Sequence, residues 1–264
     1  MLFRSEFTLY VGPKEYQLLA RLGKQMGTEL DLIMDYGGFF GFFAKALLLS
    51  MNGLHSFGLS YAWCIIAITI IIKALFWPLT AISTRSMKRM SELQPQMKAI
   101  QEKYKDDPQK MNQKTMEFMR ENNMNPMAGC LPMLVQFPVF VGFYTMLQSC
   151  MELRGESLLW AHDLSQEDTV AYLLGFPVNP FPIIMAVTMF YQARLTPPSP
   201  GMDPMQQRIM KYMPMMFVVI LYRFSAALTL YWTVQNLLTI LQTKLTKLQD
   251  EKKAAAANPA PKKT

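Results

Sequence analysis

The sequence predicts an all-α polytopic membrane protein with five transmembrane helices, a cytoplasmic helical hairpin and an interfacial amphipathic helix. Three observations carry this prediction. The chain is 51% hydrophobic and only 17% charged, several apolar runs approach the roughly 20 residues that a spanning helix needs, and the basic residues behind a net charge of +7 cluster in loops beside those runs. Such a distribution favours anionic lipid, the ribosome surface and acidic polypeptides as partners, with no specific nucleic acid sequence.

The first 57 residues contain no predicted span. Residues 1–35 are mixed and polar, with a strand-like run at 7–11, and predict a small fragment outside the bilayer; no apolar core of a cleavable signal peptide follows Met1. Residues 36–57 are rich in aromatic residues, are broken early by glycine and carry one cation, Lys45. This pattern favours a helix lying in the membrane interface.

The first transmembrane helix is predicted over residues 58–80, because its apolar run ends at Trp77-Pro78, an interfacial aromatic residue followed by a helix-stopping one. Residues 81–128 then turn polar, with apolar positions spaced by three and four residues. The spacing predicts one amphipathic helix before a break at Asp106-Asp107-Pro108 and a second helix after it. Together they form the predicted cytoplasmic helical hairpin.

The rest of the chain alternates apolar and polar segments. The predicted segments are a transmembrane helix at 129–150, an outer loop at 151–178, a short transmembrane helix at 179–194, a cytoplasmic loop at 195–208, two thin transmembrane helices at 209–223 and 225–246, and a disordered basic tail at 247–264. One long helix in place of the two thin ones is the alternative, since Arg223 is the one charge between Tyr212 and Gln242.

Charge bias decides the topology. The segment 81–128 carries nine lysines and arginines, whereas the loop 151–178 carries Arg154 alone against five acidic residues. Positively charged loops stay in the cytoplasm, which places the first inside and the second outside. The basic tail is inside only if residues 212–242 cross twice, so we predict five spans, with the N-terminus outside and the C-terminus in the cytoplasm.

Lys73 is a lone cation inside the apolar run of the first span. A lysine near the centre of a membrane helix costs about 2.5–3.5 kcal/mol on insertion scales, so such residues usually face water or a partner. Thr69 lies four residues earlier, on the same helical face. Two interpretations stay open: a hydrated cavity with Lys73 as its positive pole, or a side chain that snorkels past Trp77 to the inner boundary.

Hydroxyl and amide side chains recur in the other predicted spans. They either hydrogen-bond between helices, as is common in membrane bundles, or line the cavity with Lys73. The candidates carried forward from these groups are Gln136, Gln192, Thr233, Gln235 and Asn236.

Methionine is abundant in the hairpin region, which holds eight of the 23 in the chain. Unbranched, polarizable side chains suit a surface that accepts many apolar sequences. Closing the hairpin onto itself is the alternative explanation. The candidates for substrate reception are Met87, Met90, Met97, Met111 and Met119.

No sequence signature of an enzyme occurs: the chain has no phosphate-binding glycine loop, no HExxH zinc motif and no GxSxG elbow. Its cysteines, Cys64, Cys130 and Cys150, lack metal-site spacing and are expected to be buried hydrophobes, with a weakly supported disulfide between Cys64 and Cys150. His55 and His162 are isolated. We predict no enzymatic activity, no cofactor and no metal site.

A series of motifs resembles one known family over some 235 residues. The family is the YidC/Oxa/Alb group of membrane insertases. The motifs that carry the resemblance are Val11-Gly-Pro-Lys-Glu15, Asp35-Tyr-Gly37, Lys73-Ala-Leu-Phe-Trp-Pro-Leu-Thr80, Leu93-Gln-Pro95, Asn125-Pro126, Gly129-Cys-Leu-Pro132, Gln136-Phe-Pro138, Trp160-Ala-His-Asp-Leu-Ser165, Asp203-Pro-Met-Gln-Gln207, Leu230-Tyr-Trp232 and Asn236-Leu237.

The resemblance implies five transmembrane helices around a hydrophilic groove that opens to the cytoplasm and to lipid and is sealed outside. Lys73 would be the basic residue of the groove, where bacterial members typically have arginine, and Thr69 with Tyr231 and Trp232 would line it. Gram-negative relatives carry an extra N-terminal helix and a large periplasmic domain, of which residues 1–35 look like the residual end. Where relatives often have Phe-Pro before the last span, Arg223 is expected at the outer turn.

The implied function is that of an insertase and chaperone of membrane proteins in the bacterial inner membrane, alone or with the Sec translocon. Its implied partners are nascent membrane proteins, the ribosome, the Sec translocon, the signal recognition particle receptor and anionic lipids. A small anion transporter or channel, with Lys73 as its binding site, is the alternative; a structural scaffold is a weaker third. No internal repeat of the kind found in transporters is visible in the sequence.

Overall fold

The computed structural model describes residues 9–34, 36, 38–122, 131–195 and 204–257, and these residues are mainly helical. The prediction of a helical fold is confirmed. The elements are α1 (Tyr16–Met26), a 3-10 turn (Leu30–Met34), α2 (Gly38–His55), α3 (Tyr61–Leu75), α4 (Trp77–Glu92), α5 (Gln94–Lys103), α6 (Pro108–Glu121), α7 (Leu131–Ser149), β1 (Ala171–Leu173), β2 (Phe176–Val178), α8 (Pro180–Leu195), α9 (Pro204–Leu221) and α10 (Ala226–Ala257).

The predicted span at 58–80 is divided in the structure. Helix α3 ends at Leu75, and α4 starts at Trp77 and leaves at a bend of 63°. Pro78 explains the break, because it has no N–H to give to the carbonyl of Ala74 and its ring would clash with that carbonyl in a continuous helix. The end of the helix near this proline was predicted, but the start of a new helix at Trp77 was not.

Helices α4, α5 and α6 occupy the segment predicted as the cytoplasmic hairpin. The single helix predicted before the break at 106–108 is two helices, because Pro95 in the first turn of α5 ends α4 at Glu92. Helix α6 begins where expected, and the Asp107 carboxylate caps it by accepting the backbone N–H of Lys110 at 3.0 Å. Residues 123–128, the end of the predicted hairpin, lie outside the described residues, as do the motif positions Asn125-Pro126 and Gly129.

Helix α10 is the centre of the core, since it packs against α3, α4, α7 and α8. Helix α2 packs against α3 and α7, and α8 also contacts α9. Buried side chains fill the space between these helices. They include Ala44, Leu48, Met51, Ile65, Ile68, Phe143, Met146, Met185 and Tyr231. The outward sides of the same helices are apolar, as Ile71, Val187 and Val219 show, each of them exposed.

No described helix is by itself long and apolar enough to cross a bilayer. Helices α3 and α4 together, across their bend, have the length and composition to do so. Shorter apolar stretches lie at Met133–Ser149 and Tyr212–Leu221.

The C-terminal part departs from the predicted boundaries. Helix α10 continues to Ala257 through residues predicted as a disordered tail, and residues 258–264 lie outside the described part. Contacts fix this extension: Arg85 Nε lies 3.1 Å from Asp250 Oδ1, and Lys247 Nζ donates to the carbonyl of Leu195 at 3.4 Å. Helix α9 begins at Pro204, earlier than the predicted 209, and most of the predicted loop at 195–208 is not described.

Two features in and near the loop at 151–178 differ from the sequence analysis. The loop at 151–178 contains a small antiparallel sheet of β1 and β2, with Tyr172 opposite Pro177, which an all-α prediction did not include. The disulfide considered between Cys64 and Cys150 is also absent, because both are free and buried. Arg223 is exposed in the turn between α9 and α10.

The close crossing of α2 and α7 at Gly142 yields the first prediction. A Cβ at Gly142 would lie 2.8 Å from the Cβ of Phe43, so Gly142→Ala must push the helices apart. Overpacking of this kind costs about 1–3 kcal/mol of unfolding free energy. Gly53→Ala is the matched control: nothing lies within 4 Å of its added Cβ, and helix propensity favours the change by up to ~1 kcal/mol. Thermal unfolding in detergent should rank Gly53→Ala at or above the parent and Gly142→Ala below it; equal effects would refute the close crossing.

Candidate functional site

Lys73 lies in the last turn of α3 with its side chain directed into the bundle. It is 8% exposed, and its Nζ donates to the hydroxyl of Thr239 on α10 at 2.8 Å. Within the described ranges the ion pairs are Arg85 with Asp250 and Lys114 with Glu117, and no carboxylate pairs with Lys73. An ammonium has three N–H donors, so this buried charge has a neutral partner for one of them. It therefore remains able to attract an anion.

The hydroxyl of Thr239 is oriented to accept a hydrogen bond from Lys73. Its own hydroxyl donates to the backbone carbonyl of Gln235 at 2.7 Å, which leaves its oxygen free to accept from Lys73. Thr69, one turn before Lys73, is buried and donates its hydroxyl to the carbonyl of Ile65 at 2.7 Å. Both threonines therefore present an acceptor oxygen to the interior.

Gln136 joins α7 to α10 by two short hydrogen bonds. Its Nε2 donates to the hydroxyl of Tyr231, and its Oε1 accepts from Nε2 of Gln235. Tyr231, Gln235 and Thr239 follow one another at intervals of four residues, so they share one face of α10. Three of the predicted site residues thus meet directly, and their helix face leads to the hydroxyl that holds Lys73.

Other polar side chains of α10 bond to α8 and α4. Asn236 is buried and its Nδ2 donates to the hydroxyl of Thr188 at 3.3 Å, while Nε2 of Gln242 donates to the carbonyl of Trp77 at 3.2 Å and to the hydroxyl of Thr80. Thr233 is also buried but donates to the carbonyl of Thr229 on its own helix at 2.7 Å. Its hydroxyl contributes no described link between helices.

Gln192 lies on α8, one turn beyond Thr188. Its Oε1 is buried and has no hydrogen-bond partner among the described residues. Leaving such an acceptor unpaired costs about 1–3 kcal/mol. A buried amide oxygen of this kind indicates a place where water or a polar ligand group is accepted.

Trp232 packs in an aromatic cluster and not beside Lys73. Its ring lies edge-on to Phe140 of α7 at 4.9 Å and stacks on Phe217 of α9 at 5.4 Å. Tyr231, its neighbour, stacks on Phe143 at 4.2 Å. Sequence analysis treated Tyr231 and Trp232 as one pair, but adjacent positions on a helix point about 100° apart, so they serve different contacts.

The hairpin methionines divide by burial. Met90 and Met97 are buried, as expected if they close the hairpin, whereas Met87, Met111 and Met119 are half-buried. Met116, which was not selected from the sequence, is 65% exposed.

A pocket of about 480 Å³ lies away from Lys73, near the start of the described chain. It is lined by Tyr16, Ala20, Gly23, Lys24, Gly27, Thr28, Glu29 and Lys45, which belong to α1, its C-terminal turn and α2. The pocket therefore does not coincide with the predicted groove. Among the described residues no group of three or more His, Cys, Asp or Glu side chains could hold a metal ion.

Sequence reasoning missed three contact residues of this site. Thr239, Gln242 and Thr188 were noted as polar residues of spans but were not selected. The spacing of four residues from Tyr231 to Gln235 to Thr239 was the signal that could have identified the first of them.

Comparison with known proteins gives consistent matches. A family model described as the 60Kd inner membrane protein matches residues 53–253, and one described as the YidC periplasmic domain matches residues 4–49. The membrane protein insertase YidC of Cupriavidus taiwanensis is 43% identical over 235 residues, which are 89% of this chain and 39% of that protein. The protein of the same name from Bordetella pertussis is 42% identical over 252 residues, 95% of this chain and 42% of the relative.

A solved structure described as an active YidC insertase with its first transmembrane domain resolved is also similar. It aligns with a TM-score of 0.56 at 24% identity, covering 86% of this chain and 52% of that one. This likeness supports the fold. The chain spans about two fifths of the length of the curated relatives it matches.

The bonds of Gln136 yield the second prediction. Tyr231→Phe removes the hydroxyl that accepts from Gln136, and hydrogen bonds between membrane helices are worth on average about 0.6 kcal/mol and up to ~1.7. We expect a loss in this range in detergent unfolding. Tyr144→Phe is the control, because Tyr144 makes no hydrogen bond among the described residues and should be neutral. A Tyr231→Phe chain as stable as the Tyr144→Phe chain would show that the bond contributes nothing.

Proposed function

The chain belongs to the family of the 60Kd inner membrane protein, the YidC membrane protein insertases, and we propose that it inserts membrane proteins into the bacterial inner membrane and helps them fold. The resemblance noted in the sequence motifs is thereby confirmed. Because the chain spans only part of its relatives, its activity, substrates and partners remain our proposal. One observation carries the proposed mechanism: Lys73 is a buried ammonium whose described hydrogen-bond partner, Thr239, is neutral.

The first step is electrostatic capture. An acidic residue in the short outer tail of a substrate approaches Lys73, and a carboxylate 4 Å from it gains about 4 kcal/mol at an effective dielectric of 20, before desolvation. Thr239 occupies one N–H of the lysine, so the carboxylate can bond to another without displacing the threonine. Capture therefore needs no rearrangement of α10.

The second step is shelter for polar groups. Gln136, Gln192 and Gln235 place amide groups inside the bundle, and the unpaired Oε1 of Gln192 can accept from water or from a substrate backbone. We propose that these side chains, with Thr69, Tyr231, Thr233 and Asn236, line a hydrophilic groove around Lys73. A wet groove lowers the cost of taking a polar tail into the membrane.

The third step is release. An acidic tail that crosses outward gains about 2.3 kcal/mol per charge for each 100 mV of inside-negative potential. Helices α3 and α8 have only 15 and 16 residues, and short helices of this kind thin the surrounding bilayer and shorten the path. The apolar segment of the substrate then leaves sideways into lipid, past the exposed apolar faces of the helices.

The proposed topology has five spans, with the N-terminus outside and the basic α4–α6 region in the cytoplasm. In this arrangement the half-buried Met87, Met111 and Met119 and the exposed Met116 receive nascent chains, near the ribosome and the signal recognition particle receptor. Cooperation with the Sec translocon and contact with anionic lipids belong to the same proposal. Arg223, exposed in the outer turn, would contact headgroups.

The alternative, an anion transporter with Lys73 as its binding site, is not favoured, because the family match is to insertases. It would give saturable flux of a small anion in vesicles, which the insertase proposal does not require.

Replacing Lys73 tests the role of its charge. The chain is reconstituted in vesicles with a short single-span substrate that carries either an acidic or a neutral outer tail. Lys73→Ala should lower insertion of the acidic substrate by about tenfold, the factor that corresponds to roughly 1.4 kcal/mol, and leave the neutral substrate little changed. Lys73→Arg keeps the charge, although its guanidinium needs more acceptors, and should therefore insert the acidic substrate better than Lys73→Ala does. Insertion by Lys73→Ala at the parental level would disprove the role of Lys73, and insertion into vesicles without protein would remove the support for an insertase.

Thr239 provides a separate test of how the ammonium is positioned. Thr239→Val keeps the shape of the side chain but removes the acceptor of Lys73, so the amine loses its fixed position and acidic substrates should insert several-fold more slowly. Thr239→Ser keeps the hydroxyl and should restore the rate.

The control for Thr239 is Thr243→Val. Thr243 is buried one turn further along α10 and donates to the carbonyl of Thr239 without bonding to Lys73. If Thr243→Val slows insertion as much as Thr239→Val does, the effect reflects helix packing and not the position of the amine.

A further inference from the structure

The hairpin of β1 and β2 presents an apolar tip to its surroundings. Every residue from Val170 to Phe176 is exposed, and Leu174 at the tip is 96% exposed. Tyr172, Leu173 and Phe176 are exposed to more than two thirds. Four large apolar or aromatic side chains in seven residues form a concentrated patch, where isolated ones would need no explanation.

The base of this hairpin is firmly attached to the helices. The hydroxyl of Tyr222, in the turn between α9 and α10, donates to the carbonyl of Pro177 at 2.7 Å. Asn179 is buried; its Nδ2 donates to the carbonyl of Tyr222 at 2.9 Å, and its Oδ1 accepts from the hydroxyl of Thr169 at 2.7 Å. The tip is therefore held at a fixed place by a polar base, and its exposure does not come from a loose loop.

The turn itself favours a different residue at its tip. Leu174 and Gly175 both have positive φ, at 52° and 83°. A two-residue turn of this type prefers Asn, Asp or Gly at the first position, since a branched apolar side chain is strained there. Leucine at this position works against the local conformation, so the turn itself does not account for its presence there.

The hairpin continues the uncharged surface of α8. No charged residue occurs from Thr169 to Ala193, and β2 is followed at once by α8, which begins at Pro180. Helix α8 has 16 residues, or about 24 Å at 1.5 Å per residue, less than the ~30 Å of a hydrocarbon core. Its outward side chains Val187 and Phe190 are exposed and apolar. The hairpin thus extends the same apolar surface beyond the outer end of a short helix.

We propose that the tip of the β1–β2 hairpin, residues 170–176, inserts into the outer-leaflet interface of the membrane and that phospholipid is its partner. Aromatic residues with a polar end, such as Tyr172, suit this depth. A second copy of the chain fits less well, because a stable protein interface uses about 20–30 residues on each side and the tip offers far fewer. The proposal rests on the membrane location of the family and on the proposed topology, and it does not require insertase activity.

The test measures the depth of the tip in vesicles of phosphatidylethanolamine and phosphatidylglycerol. The environment-sensitive fluorophore NBD is attached to the full chain carrying Leu174→Cys, and quenching is compared for lipids with a nitroxide near the headgroup or deep in the acyl chain. Ser157→Cys is the matched control, an exposed polar position in the same loop. The parent chain, treated with the same reagent, gives the background from the native cysteines.

We expect the headgroup-level nitroxide to quench the Leu174→Cys probe several-fold more than the Ser157→Cys probe. At Leu174→Cys, the deep nitroxide should quench less than the headgroup-level nitroxide does. Equal quenching at the two sites, or none at either, would overturn the proposal. Oxidative cross-linking between two Leu174→Cys chains that rises with the protein-to-lipid ratio would assign the patch to a second copy and would also overturn it. Because depth is read by fluorescence, failure of substrate insertion leaves this result unaffected.

Discussion

Hydrogen bonds from α10 to its neighbours are the interaction on which the arrangement of the core depends. Each of α3, α4, α7 and α8 is bonded to this helix, for example by Lys73 with Thr239, Thr80 with Gln242, Gln136 with Gln235 and Thr188 with Asn236. Lipid chains are as apolar as leucine, so in a membrane such bonds and close packing decide which helix faces meet. The position of this helix therefore helps to set the positions of Lys73, Gln136 and Thr188.

The same bonds place a charge where stability alone would not put one. An apolar pair of similar size in place of Lys73 and Thr239 would pack at least as well, because burying an ammonium costs more than one neutral hydrogen bond returns. Gln192 repeats the pattern on α8, with a buried oxygen that the described residues leave unpaired. Neither group is explained by a gain in the stability of the fold.

Periodicity and composition predicted most of the helices but not the contacts between them. Lys73 and Gln136 stood out because charged and amide groups are rare in apolar runs, whereas Thr239 resembled many other threonines until the structure placed it opposite Lys73. The β1–β2 hairpin was not predicted, because its turn is Leu174-Gly175 and lacks the usual Asn-Gly signal. Helix α10 is longer than predicted. The contact of Arg85 with Asp250 supports its extension, and local composition cannot report a contact between residues so far apart in sequence. The groove and the five spans stay predictions.

Lysine and arginine at position 73 would differ in the number of acceptors that they need. A guanidinium carries five N–H groups in a rigid plane, and with Thr239 as the described acceptor most of them would be buried without a partner. An ammonium on a flexible stem needs fewer acceptors and can turn its remaining N–H groups toward an arriving carboxylate without moving a plane of atoms. It also forms no bidentate fork, so it recognises negative charge with little regard to the orientation of the carboxylate. If Lys73 captures acidic tails as proposed, that tolerance would suit a site that meets many different tails, and Thr239, which limits where the ammonium can point, would be the geometric constraint on capture.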